Sequence, residues 1–316
     1  MKEILRSFRG KRCMVTGGTG LIGRQVVDIL CNAGAHVRTV SLDKVNVNDK
    51  AEHIYGDLRD PNFCEAITKG GDFVFHLAGM KGSVNATKGK PADFLVPMLM
   101  MNTNVLEACR INKVERVVYT SSIGAYASAA VFRESEGLKG EPMDFVCWAK
   151  RMGELQIEAY REQYQLNNFA IVRPSNTYGP GDQFNPDAMV IPALMSRILS
   201  GENPVVIWGD GSAIRDFAYS RDVAEGIILA LHYGTAGHFV NLGSGKGYSI
   251  KELVEALNSF IGFNYVFDTS KPSGFPKRLM DISLAKELIH YNPTTSLLDG
   301  LKETWHWFVK KQGERE

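Results

Sequence analysis

Val15-Thr16-Gly17-Gly18-Thr19-Gly20-Leu21-Ile22-Gly23 is the stretch on which the reading of the whole chain turns. The apolar run Cys13-Met14-Val15 leads into it, and Leu21, Ile22, Val26, Val27, Ile29 and Leu30 follow at helical spacing. This pattern predicts a strand, a tight glycine turn and a helix. Gly17 suits the turn, Gly20 leaves room for backbone to approach a pyrophosphate, and Gly23 lets the helix pack closely. Free N–H groups and the positive dipole end at the helix N-terminus then attract a diphosphate. A turn that merely needs glycine would share the spacing. The strand–turn–helix context and the motifs further along favour dinucleotide binding.

The remaining bulk properties narrow the classes. The 316 residues suffice for one large domain or two smaller ones. A net charge of +1 advertises no basic face, so nucleic acid is not an expected partner. No apolar run is long enough to span a bilayer, and the charged residues 1–11 lack the apolar stretch of a signal peptide. Five cysteines (Cys13, Cys31, Cys64, Cys109, Cys147) are scattered without paired spacing. They imply reduced thiols and a cytoplasmic location, with Cys13 and Cys109 read as core. The seven histidines show no ligand spacing, so no metal site is expected. His76 ends an apolar run and reads as a structural hydrogen-bonding group.

Beyond the first helix, residues 37–40, 54–58, 73–79 and 117–122 read as strands, with a helix over 95–110 between the last two. Buried parallel strands linked by helices make a doubly wound sheet. After Pro174, glycine, proline and aromatic residues punctuate shorter elements, and helices return over 222–232, 250–260 and 298–310. Leu298, Leu301, Trp305 and Phe308 in the last of these read as core. The expected organisation is a dinucleotide-binding domain over 1–173 and a smaller α/β substrate-binding part over 174–316. The chain is expected to cross between them, with the ligand crevice at the carboxyl ends of the strands.

Several motifs carry a resemblance over essentially the whole chain. They are the glycine turn, Gly56-Asp57-Leu58, His76-Leu77-Ala78-Gly79, Thr120-Ser121-Ser122, Lys150, the run Arg173-Pro174-Ser175-Asn176-Thr177-Tyr178-Gly179-Pro180, Arg215-Asp216-Phe217 and Asn241-Leu242-Gly243-Ser244-Gly245. Together they resemble the extended short-chain dehydrogenase/reductase superfamily, above all its nucleotide-sugar epimerases, dehydratases and ketoreductases. The resemblance implies a Rossmann fold and a homodimer built on two helices per subunit, over 95–110 and 150–164. It places Gly17, Gly20, Leu21, Ile22, Gly23, Ser41, Asp57, Leu58, Leu77, Ala78, Gly79 and Lys150 around NAD or NADP. Ser41 stands where an acidic residue usually binds the adenosine ribose of NAD. Ser41 lacks charge, and Arg24 and Lys44 are available to attract a 2′-phosphate, which leans towards NADP. If Asp43 does the acidic residue's work from two positions on, the cofactor is NAD.

In that superfamily a tyrosine takes the hydroxyl proton as hydride leaves. Its pKa is lowered by a lysine four residues later on the same helix face. Ser122 matches the residue that orders the substrate hydroxyl, and Lys150 matches the lysine. Four residues before Lys150 stands Val146, which can neither take nor give a proton. Three readings follow: an inactivated or substituted enzyme, another group carrying the proton, or a binding module without turnover. Cys147 is one helical step, about 100°, away from Val146, and Tyr126 reads as a packed aromatic.

The second half resembles the GDP-fucose-forming ketoreductase-epimerases. Residues 182–186, 190–194, 208–217 and 271–278 carry that likeness. It implies a nucleotide-diphosphate sugar held by Ser122, Asn176, Val190, Arg215 and Arg278, the two guanidiniums gripping the diphosphate. The cysteine and histidine that move protons in those enzymes would fall at Ile123 and Gly181, so a 3,5-epimerisation is not expected. Ile123 and Gly124 replace the acid pair of dehydratases. A 4-epimerase or 4-keto reductase fits best, with UDP, GDP, dTDP and CDP all open. A non-catalytic dinucleotide-binding protein is the second class. A reductase of small carbonyl compounds, the third, would not need Arg215 and Arg278.

Overall fold

A computed structural model describes residues 1–80, 87, 89–185 and 188–314. After a short helix α1 (Lys2–Arg6), the chain alternates β1 (Arg12–Thr16), α2 (Leu21–Asn32), β2 (His36–Ser41), β3 (Glu52–Tyr55), α3 (Pro61–Thr68), β4 (Phe73–His76), α4 (Pro91–Ile111) and β5 (Arg116–Thr120). It continues through β6 (Val131–Phe132), α5 (Phe145–Tyr164) and β7 (Phe169–Pro174). With β12 (Phe239–Leu242), all of these strands except β6 build a seven-stranded parallel sheet in the order β12-β7-β5-β4-β1-β2-β3. This is the Rossmann-like α/β architecture that the sequence pattern implies.

Alternate strand residues feed opposite layers, as the pleat demands. Cys13 and Val15 of β1, Phe73 and Phe75 of β4, and Ala170 and Val172 of β7 enter one buried cluster. Met14, Val74, Phe169 and Ile171 enter the other. The first layer is closed by α2 and α7 (Ser220–Tyr233), the second by α3, α4 and α5. Both faces are therefore covered, which is why these strands read as continuous apolar runs.

The remaining elements form a smaller part. They are β8 (Asn176–Tyr178), α6 (Val190–Leu199), β9 (Val205–Trp208), β10 (Ile214–Arg215), β11 (Phe217–Tyr219), β13 (Tyr248–Ser249), α8 (Ile250–Ile261), β14 (Tyr265–Asp268), β15 (Lys277–Met280), α9 (Ser283–Ile289) and α10 (Leu297–Gly313). A four-stranded sheet runs β13-β10-β15-β6, flanked by the pairs β8–β11 and β9–β14. Strands on both sides of residue 173 enter both large sheets: β12 extends the seven-stranded one and β6 the four-stranded one.

Three local details differ from expectation. Helix α4 starts at Pro91 rather than 95, because proline suits the first helical position. Helix α5 starts at Phe145, capped by the Asp144 carboxylate, which accepts from the Cys147 N–H at 2.8 Å. In α10 the buried position belongs to Leu297, whereas Leu298 is exposed. Among the described residues no helix is long and apolar enough to cross a membrane.

Candidate functional site

The glycine turn is a cradle made of backbone. Gly17 has φ +68°, and a Cβ there would lie 2.7 Å from the Ala78 Cα. A Cβ on Gly23 would lie 2.1 Å from the Gly17 carbonyl oxygen. Its role is thus to seat α2 against the turn itself. Gly20 is the N-cap of α2 and supplies no side chain to its first turn, so those N–H groups are left for a ligand. Leu21 and Ile22 open that turn. This cradle, which a side chain would fill, fits the diphosphate of a dinucleotide.

Leu77 and Ala78 continue β4 beside the turn: the Leu77 N–H donates to the Thr16 carbonyl and the Ala78 N–H to the Thr16 hydroxyl. Asp57 is tied to Arg59, whose guanidinium lowers its carboxyl pKa. Leu58 is buried beside it. At the end of β2, the Ser41 hydroxyl donates to the Asp43 carbonyl at 2.9 Å, and the Thr19 hydroxyl donates to the Asp43 carboxylate at 3.1 Å. Asp43 is therefore latched to the glycine turn. Arg24 points elsewhere. It donates to the Thr19 carbonyl, stacks over Trp307 at 5.6 Å and crowds Gly181.

The head of α5 carries the catalytic line. Asp144 caps the helix, and the Arg151 guanidinium donates to the Ala125 and Gly140 carbonyls, docking α5 on the turn after β5. One helical turn after Lys150, Glu154 forms a buried bidentate pair with Arg173 of β7 at 2.8 and 2.5 Å. Arg173 also lies between the Tyr126 and Phe239 rings. These fastenings aim Lys150 at the strand ends. Its ammonium donates to the Thr120 carbonyl at 2.7 Å and reaches within 3.5 Å of where a Gly79 Cβ would stand. Burial lowers its pKa to about 8. The Ser122 hydroxyl accepts from the Gly124 N–H at 3.1 Å, which fixes it two residues beyond Thr120. Val146 packs on the apolar cluster beneath α5.

Two neighbours of Val146 take unexpected or telling positions. Cys147 does face this turn, its Sγ filling the space over Gly124. Burial first, then a hydrogen bond to Asp144, push its thiol pKa up. Tyr126 is buried, and its phenol donates to the Asn241 side chain at 2.8 Å. His76 is the structural hydrogen-bonding group expected, at the centre of a buried polar chain whose other members the sequence pattern did not single out. His76 bonds the Thr16 hydroxyl at 2.7 Å through Nδ1 and the Asn102 side chain at 3.1 Å through Nε2, and Asn102 donates to the Ala149 carbonyl. Burial lowers the His76 pKa to about 3, so the ring is neutral and links the glycine turn to α5. The signal for Asn102 was a lone amide in an apolar helix face.

The smaller part encloses a cavity of about 580 Å³ lined by Asn176, Val190, Trp208, Arg215, Ser273 and Arg278 among others. Arg215 and Arg278 are register partners on the paired strands β10 and β15. Arg215 donates to the Ile214 and Phe275 carbonyls, and Arg278 rests on the Phe275 ring at 4.2 Å with its buried Nε unpartnered. Among the described residues neither forms an ion pair with a carboxylate. Burial lowers the pKa of both, and for Arg215 the Arg278 charge adds to this. Next to Arg215, the buried Asp216 accepts from the Ser244 N–H and hydroxyl, the Gly245 N–H and the Met280 N–H at the end of β15. The structure thus gathers Asn176, Val190, Arg215 and Arg278 into one cavity. Pro186, expected in the covering segment, lies outside the described residues.

With this geometry in hand, the class follows. The NAD dependent epimerase/dehydratase family matches residues 13–243, and the chain belongs to it. It is an extended short-chain dehydrogenase/reductase of the nucleotide-sugar epimerase/dehydratase type. Probable GDP-L-fucose synthase 1 of Oryza sativa subsp. japonica is 33% identical over 320 residues, covering 96% of this chain and 93% of its own length. An epimerase from Methanothermobacter thermautotrophicus superposes with a TM-score of 0.89 at 26% identity, over 99% of this chain and 96% of that one. UDP-glucose 4-epimerase from Thermotoga maritima, solved with UDP-glucose, gives 0.84 at 29% identity, over 95% and 99%.

Proposed function

We propose that this protein binds a nicotinamide dinucleotide in the glycine cradle and a nucleotide-diphosphate sugar in the arginine-lined cavity, as a 4-epimerase or 4-keto reductase whose turnover is limited at Val146. The observation that carries the sugar-nucleotide half is the Arg215–Arg278 pair. Two adjacent half-buried cations with no carboxylate partner among the described residues repel each other, and a diphosphate removes that cost while accepting their hydrogen bonds. The dinucleotide supplies hydride exchange when bound. Gly17, Gly20, Leu21, Ile22, Gly23, Leu77, Ala78 and Gly79 would line its diphosphate and ribose, Asp57 and Leu58 its adenine side, and Lys150 the nicotinamide ribose. Ser122 would order the sugar hydroxyl.

The latch between Asp43 and Thr19 supports NAD over NADP. The apolar face shared by α4 and α5 (Val96, Met100, Met152 and Leu155, all exposed) supports a homodimer through those helices. All five cysteines are free thiols, and we place the protein in the cytoplasm on that basis. We divide the chain functionally near residue 173, with β6 and β12 exchanged across the division.

A second reading, a binding module without catalysis, is favoured by Val146 alone. One substitution separates the two. Val146→Tyr is expected to raise hydride transfer from a bound sugar nucleotide by about 100-fold or more, the range for a positioned general base, with binding of both ligands unchanged. A wild-type rate typical of enzymes, together with no gain in the variant, would sink the assignment of Val146 as the limiting position.

A further inference from the structure

Val146 leaves open which group exchanges the hydroxyl proton of the sugar. We propose that the side-chain amine of Lys150 is that group and carries the proton in place of a phenol. This rests on the reading of hydride exchange at a sugar carbon given above.

The candidates around Ser122 can be taken in turn. Cys147 fills the space over Gly124, and its thiol is hydrogen-bonded to Asp144. The Tyr126 phenol is buried and spent on Asn241. The Tyr119 phenol is buried and donates to the Lys150 carbonyl at 3.0 Å. His76 is sealed between Thr16 and Asn102, and Asp144 caps α5. Among the described residues this leaves Lys150. Among the described residues its nitrogen has one hydrogen-bond acceptor, the Thr120 carbonyl, and the lone pair of a neutral amine is not used in that bond. A Cβ on Gly79 would stand 3.5 Å from this nitrogen and 3.6 Å from the Met98 side chain, which sets the amine against the loop after β4 that is proposed to line the dinucleotide. One helical turn back, the Val146 hydrocarbon offers it no partner.

The electrostatics agree. Among the described residues the titratable groups acting on Lys150 are few. Cys147 and Glu154 on its own helix favour the ammonium, yet Glu154 is committed to Arg173. From β4, His76 is neutral, and from β5 Tyr119 presents its ring at 5.3 Å. Desolvation outweighs these, and with the pKa at about 8 roughly a tenth of the amine is neutral at pH 7 and half at pH 8. In the oxidising direction the O–H bond breaks and its proton passes to Lys150. The C–H bond gives up its electron pair as hydride to the oxidised nicotinamide dinucleotide, and the carbonyl forms. Reduction runs the same transfers backwards, with the ammonium as donor.

The experiment uses the full chain with NAD and whichever member of a panel of UDP-, GDP-, dTDP- and CDP-linked glucose and mannose calorimetry shows to bind. Lys150→Arg keeps the cation but cannot act as a base. It is expected to lose about 100-fold in reduced-nicotinamide formation, with thermal unfolding unchanged and NAD affinity within a few-fold of wild type. Lys150→Ala is expected to recover turnover in added ethylamine. The wild-type rate should climb tenfold per pH unit below about 8 and level off above it. Competitive acetylation of Lys150 in the ligand-free protein should show the same midpoint. Retained turnover in Lys150→Arg, no rescue by ethylamine, or an acetylation midpoint above pH 10 each overturns the proposal. If no member of that panel binds, the functional reading falls and takes this inference with it. If one binds and Lys150→Arg still turns over, only this inference falls.

Discussion

The glycine turn after β1 and the head of helix α5 face one cleft but are built from different material. The turn binds with backbone, so each glycine is held there by atoms that a side chain would strike: Ala78 at Gly17, the Gly17 carbonyl at Gly23. The head of α5 works with side chains on a scaffold that is fastened independently of them. Asp144, Arg151 and the Glu154–Arg173 pair hold the helix whether residue 146 is a phenol or a hydrocarbon. Fold and binding surface therefore survive the valine, and only the proton chemistry is exposed to it. Backbone-built binding and side-chain-built chemistry can fail separately in this fold.

The largest effect should come from violating the backbone side of that contrast. Gly23→Val places branched carbon where the Gly17 carbonyl oxygen lies 2.1 Å from an ideal Cβ. Overpacking of this kind costs about 1–3 kcal/mol or more. The variant should lose at least about 100-fold in dinucleotide affinity by calorimetry and melt several degrees lower. Val146→Ala, on the other side of the cleft, should leave dinucleotide affinity where it is. Normal NAD binding by Gly23→Val would break the comparison.

A smaller, more selective effect is expected at the arginine pair. Arg278→Met keeps a long apolar stem against Phe275 but removes the guanidinium. A hydrogen bond to a charged group is worth about 1.5–3 kcal/mol, so sugar-nucleotide affinity should fall about 10- to 100-fold. Dinucleotide affinity should be unaffected, since the cavity and the glycine cradle are lined by different residues. Equal losses for both ligands would mean that the two clefts are not separate binding elements.

How far the sequence went depended on whether the determining contacts were local. Strand, turn and helix at residues 13–30 follow from glycine stereochemistry and apolar spacing, both readable within a dozen residues. Lys150, Ser122 and the arginines were readable because their motifs are contiguous. The orientation of Cys147 was not, because it depends on how α5 is docked by Arg151 onto the carbonyls of a distant turn. The Thr16–His76–Asn102–Ala149 chain joins four elements far apart in sequence. The contact of Arg24 with the Trp307 ring was unreadable for the same reason, since Trp307 lies 283 positions later.

The smallest expected effect sharpens the cofactor side. Asp43 is exposed, so its carboxylate acts through solvent, yet the Thr19 hydroxyl holds it against the glycine turn at 3.1 Å. A 2′-phosphate at the end of β2 would meet that negative charge, whereas a ribose hydroxyl can donate to it. Exposed charge interactions are worth up to about 1 kcal/mol. Asp43→Asn should therefore weaken NAD and strengthen NADP by only a few-fold each, and the gain for NADP should shrink as salt rises. Tryptophan-fluorescence titrations with both dinucleotides at low and high salt would register this. If the substitution leaves the NAD-to-NADP ratio unmoved at low salt, discrimination lies with Ser41 or Lys44 instead, and the latch to Thr19 only shapes the loop.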